Sequence, residues 1–276
     1  MARIDRCIRP KSLGEALAAK SEYPDSAWLA GGTALLARGA GSPPPTLIDI
    51  RKIVDRGIRP EGAYSILGAG LSFQDILESQ AAPSLLKEAA RSMVNRNVRN
   101  MATLGGNLGA DKSSSSLIPA LLVVGCSLRC SDGGGDFELP LEAWLASRRG
   151  LVRSAAIGPL PGRRSAYRRW SRTAADLAVL GAAVSFEAAP ARLGAGDGPA
   201  LRDLKIAVGG VGPHVRRCPA VEALFEGRRL PGRDEMVRAI RPLLAPESDL
   251  RGSAEFKALR AAELIAEALV AAEAGS

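Results

Sequence analysis

Two short segments have the residue types and spacing for chemistry: Leu29-Ala30-Gly31-Gly32-Thr33-Ala34-Leu35 and Ala102-Thr103-Leu104-Gly105-Gly106-Asn107-Leu108. Each sets paired glycines at the end of an apolar stretch, followed by a polar residue or a helix start. Paired glycines let successive backbone N–H groups point the same way, which makes a concave donor nest for phosphate. A helix beginning at Ala34 would add free N–H groups and the positive end of its dipole. The hydroxyls of Thr33 and Thr103 and the Asn107 amide complete the hydrogen-bonding set. One such loop is more often a turn than a site; two in adjacent lobes would hold a diphosphate between them. A third segment, Gly68-Ala69-Gly70, opens like a dinucleotide fingerprint but lacks its third glycine and the acidic residue at a strand end. It reads as a strand-to-helix turn, and nothing argues for a Rossmann NAD site.

Other chemistries are excluded by residue type. The chain has one histidine, His214, so His-rich metal sites and the H-E-x-x-H helix are impossible. Cys7, Cys126, Cys130 and Cys218 form neither a CxxC pair nor an iron–sulfur ligand run. They read as small buried hydrophobes of a reduced compartment. Any redox centre of this chain is then an organic cofactor.

These loops need a scaffold, and 276 residues with 46% hydrophobic and 24% charged residues supply a globular core. No apolar run is long enough to span a membrane, and Met1–Pro10 lacks the apolar stretch of a secretion signal, so a cytoplasmic location is expected. A helix is predicted over 12–21 with Ser12 as N-cap, followed by a strand over 27–30, a brief helix over 34–38 and a strand over 46–50. A strand over 64–69 leads to a short helix capped by Ser72, and a longer helix covers about 83–94. Residues 117–124 are a strand or a buried helix, and Gly133-Gly134-Gly135 turns between two strands. Residues 158–162 are the best linker. Beyond them, 175–187 and 200–208 suggest an antiparallel sheet, with helices near 219–226, 233–243 and 253–273. Phe256, Leu259 and Leu264 are the expected anchors of the last helix. The pattern is α+β in two or three lobes.

The net charge is +8, and Arg148, Arg149, Arg153, Arg163, Arg164, Arg168, Arg169 and Arg172 follow one another with no acid between them. Aromatic residues are only 4%, and no RNP-like or zinc-finger pattern occurs, which argues against nucleic acid. The run reads as a solvated face, a docking surface for an acidic partner, or the source of one arginine for an anionic cofactor.

Taken in order, several segments resemble the FAD-binding medium subunit of the molybdenum hydroxylases, the xanthine dehydrogenase and carbon monoxide dehydrogenase type. They begin with Leu29-Ala30-Gly31-Gly32-Thr33, Leu47-Ile48-Asp49-Ile50, Leu67-Gly68-Ala69 and Val98-Arg99-Asn100-Met101-Ala102-Thr103-Leu104-Gly105-Gly106-Asn107. The likeness continues through Arg172, Asp176-Leu177-Ala178, Gly209-Gly210-Val211, Ala220-Val221-Glu222 and the segment from Ser248 to Phe256, so it covers nearly the whole chain. It implies a bipartite, PCMH-type FAD-binding fold of two α/β lobes, at 1–58 and 59–160. A C-terminal α+β domain with an antiparallel sheet and helices would follow at 163–276 and close over the flavin.

The same resemblance implies a non-covalent FAD whose pyrophosphate lies on the two glycine loops. Its contacts would be Leu29 to Leu35, Ala102 to Leu108, Ser115, Ser116, Val152, and Arg168 where the family often has lysine. Electrons would arrive from a [2Fe–2S] small subunit, fed by a molybdopterin large subunit, and leave to an external acceptor. No side-chain acid, base or nucleophile is needed, and no metal ligand. Two positions depart from the family pattern: Ala34 replaces a polar or acidic residue, and Ser116 replaces an aspartate. Two cofactor hydrogen bonds of about 0.5–1.5 kcal/mol each are at stake, roughly ten- to a hundred-fold in affinity. The alternatives are a structural subunit with weakened FAD binding and a basic scaffold for acidic macromolecules.

Overall fold

The computed structural model describes residues 4–37, 42–189 and 199–275. In chain order its first elements are β1 (Arg6–Ile8), α1 (Leu13–Glu22), β2 (Ala27–Leu29), β3 (Thr46–Asp49), β4 (Ile58–Glu61) and β5 (Tyr64–Gly68). Next come α2 (Phe73–Glu78), α3 (Ser84–Arg91), α4 (Arg96–Met101), α5 (Leu104–Ala110), α6 (Leu117–Val124), β6 (Ser127–Asp132), β7 (Gly135–Pro140), α7 (Leu141–Ser147) and β8 (Leu151–Ile157). The last are β9 (Arg163–Trp170), β10 (Leu180–Ala189), β11 (Ala200–Gly209), β12 (Arg216–Arg217), α8 (Pro219–Phe225), α9 (Arg233–Ile240) and α10 (Ala254–Glu273).

The chain divides into two compact units, neither of them continuous in sequence. Unit 1 comprises 1–82, 95–110 and 126–158; unit 2 comprises 83–94, 111–125 and 159–276. The linker expected at 158–162 coincides with the last crossing, but two inner segments that carry α3 and α6 belong with the C-terminal residues.

Unit 1 holds two sheets. In the first, β3 lies between β1 and β2, all parallel, and every residue of β3 is buried, as suits a parallel strand covered on both faces. Helix α1 packs on it through Ala16 and Ala19, which share a core with Ile48, Ile50 and Leu151. Ser12 caps α1 by accepting from Glu15 N, while the Glu15 carboxylate accepts from Lys11 N. The second sheet is antiparallel, in the order β4-β5-β8-β6-β7. Its outer strand β4 carries Pro60, which blunts the edge.

Unit 2 is built on an antiparallel sheet in the order β12-β11-β10-β9. Ala182, Val184 and Phe186 of β10 share a core with Ala261, Ala262, Leu264, Ile265 and Leu269 of α10. The alternating residues of β10 point to the other side, where α6 packs with every one of its residues buried.

Four expectations change. Residues 33–35 form turns rather than a helix, and Arg38 lies outside the described residues. The second glycine segment is the start of a helix, α5, rather than a loop. Phe256 and Leu259 are more than a third exposed; small and branched residues make the packing stripe of α10 instead. The middle of the arginine run is strand β9 at the sheet edge.

That run is also divided. Arg149 pairs with Asp132 at 2.6 Å and Arg153 with Asp136 at 2.8 Å in unit 1. In unit 2, Arg163 pairs with Asp203 at 2.6 Å and Arg172 lies 3.7 Å from Asp176. The acids missing from the local sequence come from neighbouring strands and turns, so the run is not one free positive face.

Candidate functional site

In unit 1 the first glycine segment leaves β2 at Leu29, whose carbonyl accepts from Ile50 N at 3.0 Å. Gly31 follows, and its Cα lies against the other glycine segment: a Cβ there would be 1.6 Å from the Met101 carbonyl oxygen. Gly32 is left-handed at φ 69°, where only glycine is comfortable. The turn closes through Leu36 N donating to the Gly32 carbonyl at 2.9 Å. The N–H groups of Gly31, Gly32 and Thr33 have no hydrogen-bond acceptor among the described residues.

The second segment behaves differently. Leu104 N donates to Leu71 O at 2.9 Å, Gly105 N to Ala69 O at 2.8 Å, and Gly106 N to Thr103 Oγ1 at 3.0 Å. Asn107 N then donates to Thr103 O at 2.8 Å. These are the first N–H groups of α5: the strand-to-helix turn after β5 satisfies the first two, and Thr103 satisfies the next two. Leu104 and Leu108 are fully buried core residues. The first glycine segment therefore offers its amides, and the second is the wall it rests on.

A cleft of about 180 Å³ lies at this junction. Ala30, Gly31 and Thr103 of the expected residues line it, together with Arg51, Arg56, Ser72 and Asn100, which sequence reasoning did not single out. The missed residues sit beside recognised motifs: Arg51 two residues past the end of β3, Ser72 after the Gly68-Ala69-Gly70 turn, and Asn100 inside the R-N-x-A-T motif. Arg51 grips Asp49 at the end of β3, with Nε 2.9 Å from Oδ1 and Nη2 2.6 Å from Oδ2.

These hydrogen bonds from Arg51 hold the Asp49 carboxyl below the usual carboxylate range, against the opposing effect of burial. A folded-state pKa below the unfolded value near 3.9 adds stability above about pH 4, and that stability is lost as pH falls through the lowered value. Arg51→Gln should therefore cost about 1 kcal/mol at neutral pH. Its deficit relative to wild type should shrink below about pH 4. Urea denaturation at about pH 7 and about pH 3 checks this; an equal deficit at both would refute it.

The remaining expected residues lie elsewhere. Val152 is in the core of β8, opposite Cys130. Ser115, Ser116 and Arg168 belong to unit 2. Ser115 Oγ accepts from Ile118 N at 3.3 Å, at the start of α6. Ser116 is buried, with its hydroxyl 3.1 Å from that of Ser92. Arg168 Nη1 donates to the Tyr167 carbonyl at 2.9 Å.

Comparison with known proteins agrees with this architecture. Residues 2–156 match the FAD binding domain in molybdopterin dehydrogenase, and residues 165–272 match the CO dehydrogenase flavoprotein C-terminal domain. The uncharacterized protein YgfM of Escherichia coli K12 is 29% identical over 96% of this chain and 95% of its own length. The carbon monoxide dehydrogenase medium chain of Hydrogenophaga pseudoflava is 28% identical over 95% of each. A solved structure of carbon monoxide dehydrogenase from the same organism, lacking the Mo-pyranopterin moiety, superposes with a TM-score of 0.87 at 27% identity over 99% of both chains. With more than half of its length matched by the first of these domains, the chain belongs to the molybdopterin dehydrogenase FAD-binding family.

Proposed function

We propose that this chain is the electron-transferring FAD subunit of a molybdenum hydroxylase, taking electrons from a [2Fe–2S] subunit fed by a molybdopterin subunit and passing them to an external acceptor. Its family makes FAD the cofactor and the chain part of an oxidoreductase. The observation that carries the reading is the row of N–H groups at Gly31, Gly32 and Thr33 that have no acceptor among the described residues, beside a cleft lined by two arginines and no acid. Such a row fits the phosphate oxygens of a dinucleotide. Bound FAD supplies the redox chemistry, exchanging electrons singly or in pairs. The chain's own residues bind and orient it: Gly31 to Thr33 as donors, the Thr103 hydroxyl opposite, and Ala30 and Met101 as apolar walls.

Non-covalent attachment is supported by the surroundings of His214 and of three of the four cysteines; the fourth, Cys7, is exposed on β1. His214 Nδ1 faces the buried Asp111 carboxylate in unit 2. Burial pushes the Cys126 and Cys218 thiols up to about 12 and Cys130 up to about 11, which makes them inert. Acid precipitation of the loaded protein should release a yellow supernatant, whereas colour retained on the chain would refute non-covalent binding. Co-expression with iron–sulfur and molybdopterin subunits should give one co-eluting assembly.

A structural role with weakened FAD binding is the second reading, favoured by Ser116, whose hydroxyl is engaged with Ser92. A visible spectrum of the purified protein separates the two: flavin absorption supports the first, and its absence after FAD titration the second. Among the described residues no helix is long and apolar enough to cross a membrane. Of the four cysteines expected to be buried, Cys126, Cys130 and Cys218 are, while Cys7 on the short strand β1 is exposed; the free thiols support placement in a reduced, cytoplasmic compartment.

A further inference from the structure

We propose that Arg56 is the cation that grips the phosphate of the bound dinucleotide, and that the Gly68-Ala69-Gly70 turn exists to aim it. This rests on the FAD reading above and adds a specificity residue to it. The cleft contains two guanidinium groups in different states. Arg51 is held in a bidentate pair by Asp49. Arg56 faces Asp75 instead, whose Oδ2 is 3.6 Å away, beyond hydrogen-bond reach. That oxygen already accepts Ser72 N at 3.0 Å within the cap of α2. Arg51 thus spends two of its five donors on Asp49, whereas the Arg56 guanidinium has no hydrogen-bond acceptor among the described residues and keeps all of its donors for a ligand.

Its position follows from two glycines. The backbone of Asp55 crosses the turn so closely that a Cβ on Gly68 would lie 2.3 Å from the Asp55 carbonyl oxygen. A Cβ on Gly70 would lie 2.8 Å from Arg56 Cγ. Gly70 N donates to Asp55 O at 2.8 Å and Gly68 N to Gly57 O at 2.9 Å, which fixes the crossing. Without side chains on the two glycines, the Arg56 stem lies over Gly70, and Arg56 lines the same cleft as Gly31.

The other polar groups there are donors too. Ser72 Oγ accepts from Asp75 N and Thr103 Oγ1 from Gly106 N, each at 3.0 Å, so each hydroxyl keeps its own proton to give. A lining of guanidinium, hydroxyl and amide donors without a carboxylate selects an anion. A guanidinium fork suits phosphate, and the apolar Val54 and Met101 suit a flat ring attached to it.

The test is a fluorescence titration of the full-length apoprotein with FAD and riboflavin, and calorimetry with ADP, for wild type, Arg56→Gln and Arg56→Lys. Arg56→Gln should weaken FAD and ADP by about ten-fold or more and leave riboflavin, which has no phosphate, within about two-fold. Arg56→Lys should recover part of the loss. An unchanged melting temperature shows that the variants fold. If wild type binds FAD and Arg56→Gln binds it equally well, the role of Arg56 falls while the FAD reading stands. If wild type binds ADP but not FAD, and Arg56→Gln loses ADP, the FAD reading falls and the phosphate grip stands. Binding of neither ligand by wild type overturns both.

Discussion

Gly31→Ala should destabilise unit 1 by about 3 kcal/mol or more and lower the melting temperature by roughly 10 °C, with loss of FAD binding. The added methyl would sit 1.6 Å from the Met101 carbonyl oxygen and 2.6 Å from its carbon. Neither is the end of a flexible side chain, so the backbones of the two glycine segments must separate. The cleft is built on that junction, so stability and cofactor affinity should fall together. Gly109→Ala is the matched control. It lies inside α5 with nothing within 4 Å of its added Cβ, and alanine there should add up to about 1 kcal/mol through helix propensity. Thermal unfolding with parallel FAD titration decides the matter. A Gly31→Ala protein that melts with wild type would show that the junction is loose.

Glu222→Ala should cost about 3–5 kcal/mol in unit 2, without any part in cofactor chemistry. Glu222 stands in the first turn of α8, and its side chain is 12% exposed. Its carboxylate accepts from Ile206 N at 2.8 Å in β11 and takes Arg217 Nε at 2.7 Å and Nη2 at 2.8 Å. Alanine removes the acceptor of a sheet amide and the two-pronged carboxylate contact of an arginine that is four-fifths buried. Glu222→Gln keeps an acceptor for Ile206 and loses the charge, so it should cost about half as much. Chemical denaturation of both variants gives the comparison. Equal, small losses would mean that water replaces the carboxylate.

Local chemistry was readable in the sequence. Ser12, Ser72 and Ser253 cap the helices expected to follow them, because a cap depends on a side chain and an amide three residues on. The glycine segments and the R-N-x-A-T motif also identified the family. What depends on distant partners was not readable. The amides of α5 are satisfied by Ala69 and Leu71, more than thirty residues earlier, so a segment rich in glycine became a helix. Strand β9 was hidden by its arginines, of which Arg163 finds its acids on the distant strands β10 and β11. Within the cleft, Arg51 and Arg56 were missed because nothing local distinguishes them from solvated arginines; only the register of β3 and the crossing at Asp55 bring them to Gly31.

The interleaving of the two units has a consequence for biosynthesis. Helix α6, Leu-Ile-Pro-Ala-Leu-Leu-Val-Val, is buried on every residue, and the strands that cover it, β10 and β11, are translated much later. At ribosomal rates of about 5–20 residues per second, this greasy octapeptide waits on the order of several seconds for its cover. Unit 1 meanwhile receives its last strand, β8, and can close around the gap that α6 leaves in the chain. Until β10 and β11 are made, α6 has only α3 of its packing partners, so this octapeptide is the segment of the nascent chain on which a holdase chaperone would engage.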